Sequence, residues 1–349
     1  MLPKIGIIGI GSIGGIVASA LISAGKSNVS LIARGRAFKA LQSSGLRVRT
    51  FEGSEHTYHI QPEQLLDSET LSTLQSPPSF DYILICTKTH QLPSITSTLS
   101  HLIQPETVIV PLTNGLPFWF HPLKATDPQG TLSTTIPINN LLGSVGMISG
   151  AVKADYSWWE THWESSRNTL LLGEPNGAQH SSSNTITRAQ TLADLFEGGA
   201  VRVKANVCQP EDEQQIKDRI FDKLLINCAI NPLGALGGVD CGETVDWSET
   251  LIRRLVGEAT TVAAQLHPPI RLSLNADKIL THYRAQYGLK SSMLHDLEHR
   301  RPTEKSAIVD SLVELGALHG VDTPCLETIS CLLETIEKRN AAAAAIAPE

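Results

Sequence analysis

Apolar runs broken by glycine open the chain. KIGIIGIGSIGGIVASALISAG, residues 4–25, reads as a buried strand, a glycine turn and a helix of small residues. Three further apolar, β-branched runs follow: NVSLIAR (28–34), DYILICTK (81–88) and TVIVPLTNG (107–115). Their hydrophobicity is continuous rather than alternating, which predicts strands of a parallel sheet covered on both faces. The last two end in polar residues, as strands do where their carboxyl ends meet a ligand crevice. The long connection before residue 81 includes SETLSTLQSPPS, and its Ser/Thr/Pro content predicts a surface excursion rather than core. Residues 143–174 predict a β-rich stretch around YSWWETHWES, closed by LLLGEPNG. GAQHSSSNT (177–185) predicts an exposed loop.

Gly9, Gly11 and Gly14 form G-x-G-x-x-G between the first strand and its helix. The first glycine permits the tight turn, the second lets backbone approach a pyrophosphate, and the third lets helix pack on strand. With Ser12 and Ile13 at the helix N-terminus, these positions predict a dinucleotide cradle. An NAD site usually carries Asp or Glu at the end of the second strand. Here stands Arg34, followed by Arg36 and Lys39. A guanidinium favours a 2′-phosphate where a carboxylate would repel it, so the expected cofactor is NADP(H). A solvated basic turn is the alternative. Lys88 and Asn114 end the later strands and are further candidates for the cofactor, Asn114 also for a substrate. Each would suit an ordinary loop as well.

From about residue 211 the period changes to 3.6. Helices are predicted over 211–230, 248–266, 273–287, 303–319 and 324–338, with starts at Ser248 and Thr303 and Pro324 in a first turn. The fold class is an α/β N-terminal Rossmann-type dinucleotide-binding domain, 1–207, followed by an all-α domain, 208–340. Residues 341–349, an alanine-rich tail, are expected to lack order. FDKLLINCAINPLGAL (221–236) lays Lys223, Asn227 and Asn231 along one helix face among apolar neighbours. Such a stripe is costly unless paired. Either Lys223 extends to solvent while the amides bond neighbouring helices, or the stripe lines a pocket. Asn231 precedes Pro232, which offers a helix end or kink as its reason.

Composition removes several classes. The net charge of −7 and pI near 5.9 give no global field for nucleic acid or an anionic membrane. Residues 5–25 are uncharged like a leader or span, but six glycines and three serines suit the cradle better. The six cysteines show no C-x-x-C, and Cys86 and Cys228 sit in apolar runs, as expected in a reducing, cytoplasmic setting. His295 and His299 have helical spacing without a plausible third ligand, so no metal is expected. Trp158, Trp159 and Trp163 suit an interface patch or buried packing equally.

KSSMLHDLEHRRPTEKSAIVDSL (290–312) adds Ser291, Ser292, Asp296 and Glu304 just before the fourth helix. GIGSIG (9–14) with Arg34, CTK (86–88), TNG (113–115), KLLINCAINPLGAL (223–236) and SSMLHDLEHRRPTE (291–304) together resemble the ketopantoate reductase (2-dehydropantoate 2-reductase) family over nearly the whole chain. The resemblance implies NADPH-dependent reduction of a 2-oxo acid, by default ketopantoate to pantoate in pantothenate biosynthesis. It implies Lys223 as the catalytic proton donor, with Glu304 bonding the substrate hydroxyl and orienting the lysine. Ser292 matches the serine on the substrate carboxylate. Asn227 and Asn231 match pocket amides, and Asn114 and Lys88 match residues beside the cofactor. It leaves a homodimer open.

Two positions depart from the family pattern. Cys241, beside Asp240, stands where an asparagine is common, and Lys305 follows Glu304 in place of an acidic residue. They direct attention to the acyl group accepted: another branched or aromatic 2-oxo acid is the alternative substrate. A non-catalytic NADP-binding redox sensor is the alternative of a different class. Such a sensor would need only the glycine loop and Arg34.

Overall fold

The computed structural model describes residues 1–71, 73–74, 76–175, 187–208 and 214–346. The predicted loop 177–185 lies outside them. The chain forms two units, Met1–Thr113 with Thr131–Ile216, and Asn114–Gly130 with Lys217–Glu349.

In the first unit, strand Lys4–Ile8 is the centre of a five-stranded parallel sheet. Asn28–Ala33 lies on one side of it with Leu65–Asp67 beyond; Tyr82–Ile85 and Val108–Pro111 lie on the other. In chain order this is 3-2-1-4-5, the doubly wound order whose switch point falls beside the first strand. Buried Ile, Leu and Val fill both faces, which is why these strands read as unbroken apolar runs.

The long connection departs from the expected surface excursion. Its strand Leu65–Asp67 is the edge of the main sheet, and Leu71 in the short helix Ser68–Leu71 is buried. Only two leucines and an aspartate enter the ladder, so no extended apolar run marks it. Residues 143–174 are β-rich as predicted, but they serve two smaller sheets. Gly150–Val152 and Trp159–Thr161 join strands Leu46–Arg49 and Glu55–Tyr58, while Gly143–Met147 and Thr169–Gly173 join Lys204–Val207.

The second unit is helical. Helix Gln215–Gly237 carries the polar stripe and continues past Pro232, so that proline does not end it. Cys241–Gln265 is two helical segments meeting at Ser248, where the predicted helix does start; the segment from Cys241 before it lies outside the predicted helices. Asp240 and Glu243 form a reciprocal capping box at the Cys241 start, and Ser248 is the non-helical junction between the two segments. Ala276–Tyr283 is shorter than predicted, and Ser292–Glu298 forms a helix of its own capped by Ser291. Past Glu304 the chain makes a π turn, Ser306–Asp310, and continues as Ser311–Leu318. Pro324 starts the last helix as expected, but the helix runs to Ile346 through the alanine tail. Alanine is the strongest helix former, so a helix once started continues there without packing. No single helix among the described residues is long and apolar enough to cross a membrane.

Candidate active site

The glycine loop has the shape a pyrophosphate requires. Gly9 sits at φ +89°, and a Cβ there would lie 2.7 Å from the Thr87 methyl. A Cβ on Gly14 would lie 2.1 Å from the Gly9 carbonyl oxygen, whereas one on Gly11 would enter open space. The first and third glycines therefore close the turn on itself, and the second leaves backbone accessible. Ser12 and Ile13 begin the helix Ser12–Ala24, whose N-cap Gly11 offers no side-chain acceptor. Its first N–H groups are thus available to an anion. The Thr87 hydroxyl, at the end of the neighbouring strand, is buried without a partner among the described residues. An open backbone cradle, a helix N-terminus and an orphaned hydroxyl fit a dinucleotide phosphate and ribose.

Trp159, which sequence reasoning left between interface and core, is fully buried against this loop. Its Nε1 donates to the Gly11 carbonyl at 2.9 Å, and its ring occupies the space that only glycine at 15 permits. Trp158 lies beneath the guanidinium groups of Arg47 and Arg49, at 4.0 and 4.9 Å. Arg34 ends the second strand as exposed N-cap of helix Gly35–Ser44, with no carboxylate in its place. Lys88 caps the turn Thr89–Ile95 at the end of the Tyr82–Ile85 strand.

The helical unit assembles a second constellation. Lys223 Nζ donates to Asn114 Oδ1 at 2.8 Å, and Asn114 Nδ2 donates to Glu304 Oε2 at 2.9 Å. Ammonium, amide and carboxylate form one relay, each of its two bonds joining residues more than a hundred apart in sequence. Desolvation holds the Lys223 ammonium down to about 8, against the opposing pull of the Glu304 charge. Glu304 is only 5% exposed.

Asn114 is fixed by the turn that follows it. Gly115 stands at φ +81°, and a Cβ there would lie 2.4 Å from the Ala307 carbonyl oxygen. Leu116 N donates to that same oxygen at 2.7 Å. Asn114, assigned by sequence to either ligand, thus sits beside the lysine and glutamate of the helical unit.

Below Lys223 on the same helix face, Asn231 Nδ2 reaches Asn227 Oδ1 at 3.4 Å. The Asn227 amide nitrogen is buried with no partner among the described residues, its side chain 7% exposed with the rest of the residue. The same helix satisfies its other buried polar groups. Asp218 accepts from the backbone and guanidinium of Arg271, and Asp222 from Ser273 and Leu274. An unsatisfied buried donor costs about 1–3 kcal/mol, so this amide stands out from the paired groups on the same helix.

Ser291, not Ser292, approaches this stripe. Its hydroxyl lies 3.5 Å from the Asn231 carbonyl and accepts from Leu294 N, while Ser292 is exposed. Cys241 is buried, and burial pushes its thiol up to about 12. Asp240 is spent on capping and on the Gly288 amide. Among the described residues no three His, Cys, Asp or Glu side chains are placed to hold a metal. His299 turns Nδ1 to the His295 carbonyl.

A glycine cradle on a doubly wound sheet and a buried, hydrogen-bonded lysine in a helical unit fit the class of dinucleotide-dependent oxidoreductases. The family model described as ketopantoate reductase PanE/ApbA matches residues 5–162, and its C-terminal counterpart matches residues 215–337. The chain is 30% identical over 345 residues to the 2-dehydropantoate 2-reductase of Mesorhizobium japonicum, covering 95% of this chain and 97% of that one. A structure from Ralstonia solanacearum MolK2, provisionally assigned as a ketopantoate reductase, aligns at TM-score 0.82 and 27% identity, covering 98% and 99%. D-mandelate dehydrogenase, solved with NADH and anilino(oxo)acetate, shares the fold at TM-score 0.78 and 19% identity, covering 97% and 99%. The chain belongs to the ketopantoate reductase family.

Proposed function

We propose that this protein reduces a 2-oxo acid to the 2-hydroxy acid with NADPH, ketopantoate being the default substrate. The observation that carries the reading is the Lys223–Asn114–Glu304 relay above the unsatisfied Asn227 amide. When bound, the reduced nicotinamide supplies the hydride, and Gly9, Gly11, Ser12, Ile13 and Gly14 would hold its pyrophosphate with Lys88 nearby in the same unit. Arg34 would pair the 2′-phosphate of NADPH.

As the ketone carbon takes hydride, negative charge develops on its oxygen. The Lys223 ammonium stabilises that charge and transfers a proton to it, leaving a neutral amine that recovers its proton from water. Burial serves this step, because it brings the ammonium's affinity for its proton close to the working pH. Asn114 keeps the ammonium aimed, and Glu304 is placed to accept from a substrate hydroxyl. Asn227 and Asn231 orient polar oxygens without adding charge, and Ser291 or Ser292 receives the carboxylate end. A non-catalytic NADP sensor would need none of these residues beyond the first unit.

A branched or aromatic 2-oxo acid other than ketopantoate is the second reading, favoured by the buried Cys241 where the family commonly has asparagine. The test is NADPH oxidation followed by absorbance with ketopantoate, 2-oxoisovalerate and an aromatic 2-oxo acid. Preferred turnover of ketopantoate supports the default, and preference for another acid supports the second reading. Tight NADPH binding with turnover of none would sink both in favour of the sensor.

A further inference from the structure

Lys305, which departs from the family pattern, has a defined place in the helical unit. Its Nζ lies 2.6 Å from Asp310 Oδ2 and 3.3 Å from Ser330 Oγ, and Ser330 Oγ donates to Asp310 Oδ1 at 2.6 Å. Lys305 and Asp310 are five residues apart. In an α-helix that spacing leaves side chains about 140° apart around the axis. Five-residue bonding makes them neighbours, and here the Ser311 N–H reaches back five residues to the Ser306 carbonyl. The ion pair therefore matches the π turn and not the α-helix that could replace it. The pair is shielded, with side chains 13% and 28% exposed. Glu334, on the same helix as Ser330, is a further charged group acting with Lys305, and it also pairs Lys338.

The π turn has a consequence for the relay. Ser311 N–H turns away from Ala307, and the Ala307 carbonyl receives Leu116 N and Ser311 Oγ, each at 2.7 Å. On the other side of Glu304, Thr303 donates both its N–H and its hydroxyl to Glu337 Oε1, at 2.8 and 2.6 Å. Ser330 and Glu337 both belong to the last helix, Pro324–Ile346. Glu304 is thus pinned through the residue before it and the residue after it, both times to one helix.

We propose that Lys305, Asp310, Ser330 and Glu337 are positioning residues that lock the π turn and so hold Glu304 and the Asn114–Gly115 turn in register with Lys223. None of the four is expected to touch substrate. The inference rests on the proposed role of Lys223 and Glu304, and its test does not depend on turnover alone. The Lys223 amine is acylated across a pH series in the full-length chain and quantified by peptide mass spectrometry, giving its titration midpoint. Wild type is compared with Lys305→Met, Ser330→Ala, Glu337→Ala, Glu337→Gln and the exposed control Lys338→Met, alongside kcat and KM.

A loosened Glu304 no longer supports the Lys223 charge. The midpoint should then fall in Lys305→Met and Glu337→Ala, and kcat/KM should fall on the order of 10- to 100-fold, the scale of small misplacements. Glu337→Gln, which keeps an acceptor for Thr303, should recover most of the loss, and Lys338→Met should match wild type. Ser330→Ala removes one hydroxyl and serves where a charge variant does not fold. Wild-type midpoints and kcat in Lys305→Met, Ser330→Ala and Glu337→Ala, whatever their melting temperatures, would overturn the proposal. If wild type turns over no 2-oxo acid, the parent reading fails, while the midpoints still decide the clamp.

Discussion

Lys223 Nζ donates to Asn114 Oδ1 at 2.8 Å, across 109 residues of sequence, so a loop amide orients the helix-borne ammonium. The same amide donates to Glu304, whose charge supports the protonated lysine while burial opposes it. With its titration near 8, the ammonium form dominates at neutral pH. The reduction rate should be level below that value and fall as pH rises through it, with the reverse trend for oxidation of the hydroxy acid. Lys223→Ala should cut kcat by about 10²–10⁴-fold, the range of a lost general acid. A wild-type profile flat through pH ~9 would mean that burial does not lower the lysine's titration from its ordinary value, whereas near-wild-type kcat in Lys223→Ala would remove Lys223 from that role.

Glu304 raises the lysine's proton affinity while burial lowers it. Glu304→Gln preserves the shape and an acceptor for Asn114 but removes the charge. The alkaline limb of the rate profile should consequently move to lower pH, and KM for the 2-oxo acid should rise. A limb unmoved or displaced upward would mean that Glu304 does not act on Lys223 through its charge.

The parts of the fold carried by local pattern were legible in sequence: the strand–glycine–helix opening, the unbroken apolar strands and the period of the C-terminal helices. The helix break at Ser248 was legible as a start, and D-C-G-E at 240–243 is a capping box that marks the segment before it. What was hidden depends on distant partners. Leu65–Asp67 becomes a strand only because Asn28–Ala33 presents an edge to it. Gly115 needs its positive φ only because Ala307 lies against it. Lys223 and Asn227 stood out by residue type and spacing and Glu304 only through the family resemblance, whereas the bridging position of Asn114 between Lys223 and Glu304 has no local signature. Ser291 was overshadowed by its neighbour, because either serine suits a helix boundary and only burial separates them.

Gly15 is a position where two effects oppose each other. Glycine in a helix interior costs about 1 kcal/mol relative to alanine, so Gly15→Ala would stabilise an isolated helix. Here the added Cβ would lie 2.1 Å from Trp159 Cδ1, on a ring with no exposed surface into which to move. Overpacking of about 1–3 kcal/mol should win, lowering Tm and breaking the indole bond to the Gly11 carbonyl. KM for the dinucleotide should rise while the Lys223 pH limb stays in place. An unchanged Tm with unchanged dinucleotide affinity would show that the indole does not shape the cradle.

Arg34 is exposed at the end of the second strand, so its replacement should leave the fold intact. Arg34→Glu exchanges a phosphate partner for a group that repels phosphate and accepts from ribose hydroxyls. KM for NADPH should increase far more than KM for NADH, with kcat nearly unchanged. Equal effects on the two cofactors would return Arg34 to the status of a solvated basic turn.

Asn227 offers a measurement that separates ligand binding from folding. Its amide nitrogen is buried and unpartnered among the described residues, and its oxygen has only a long contact, 3.4 Å, from Asn231. A group retained for packing should be missed when replaced by an apolar side chain of similar volume; one retained for a ligand should not. Asn227→Leu should therefore leave Tm equal to or above wild type. The same change should raise KM for the 2-oxo acid about 10-fold or more, the worth of roughly 1.5 kcal/mol or more of hydrogen bonding to a charged acceptor. A lowered Tm with KM intact would assign Asn227 to the helix core, and the polar stripe would then owe its position to folding alone.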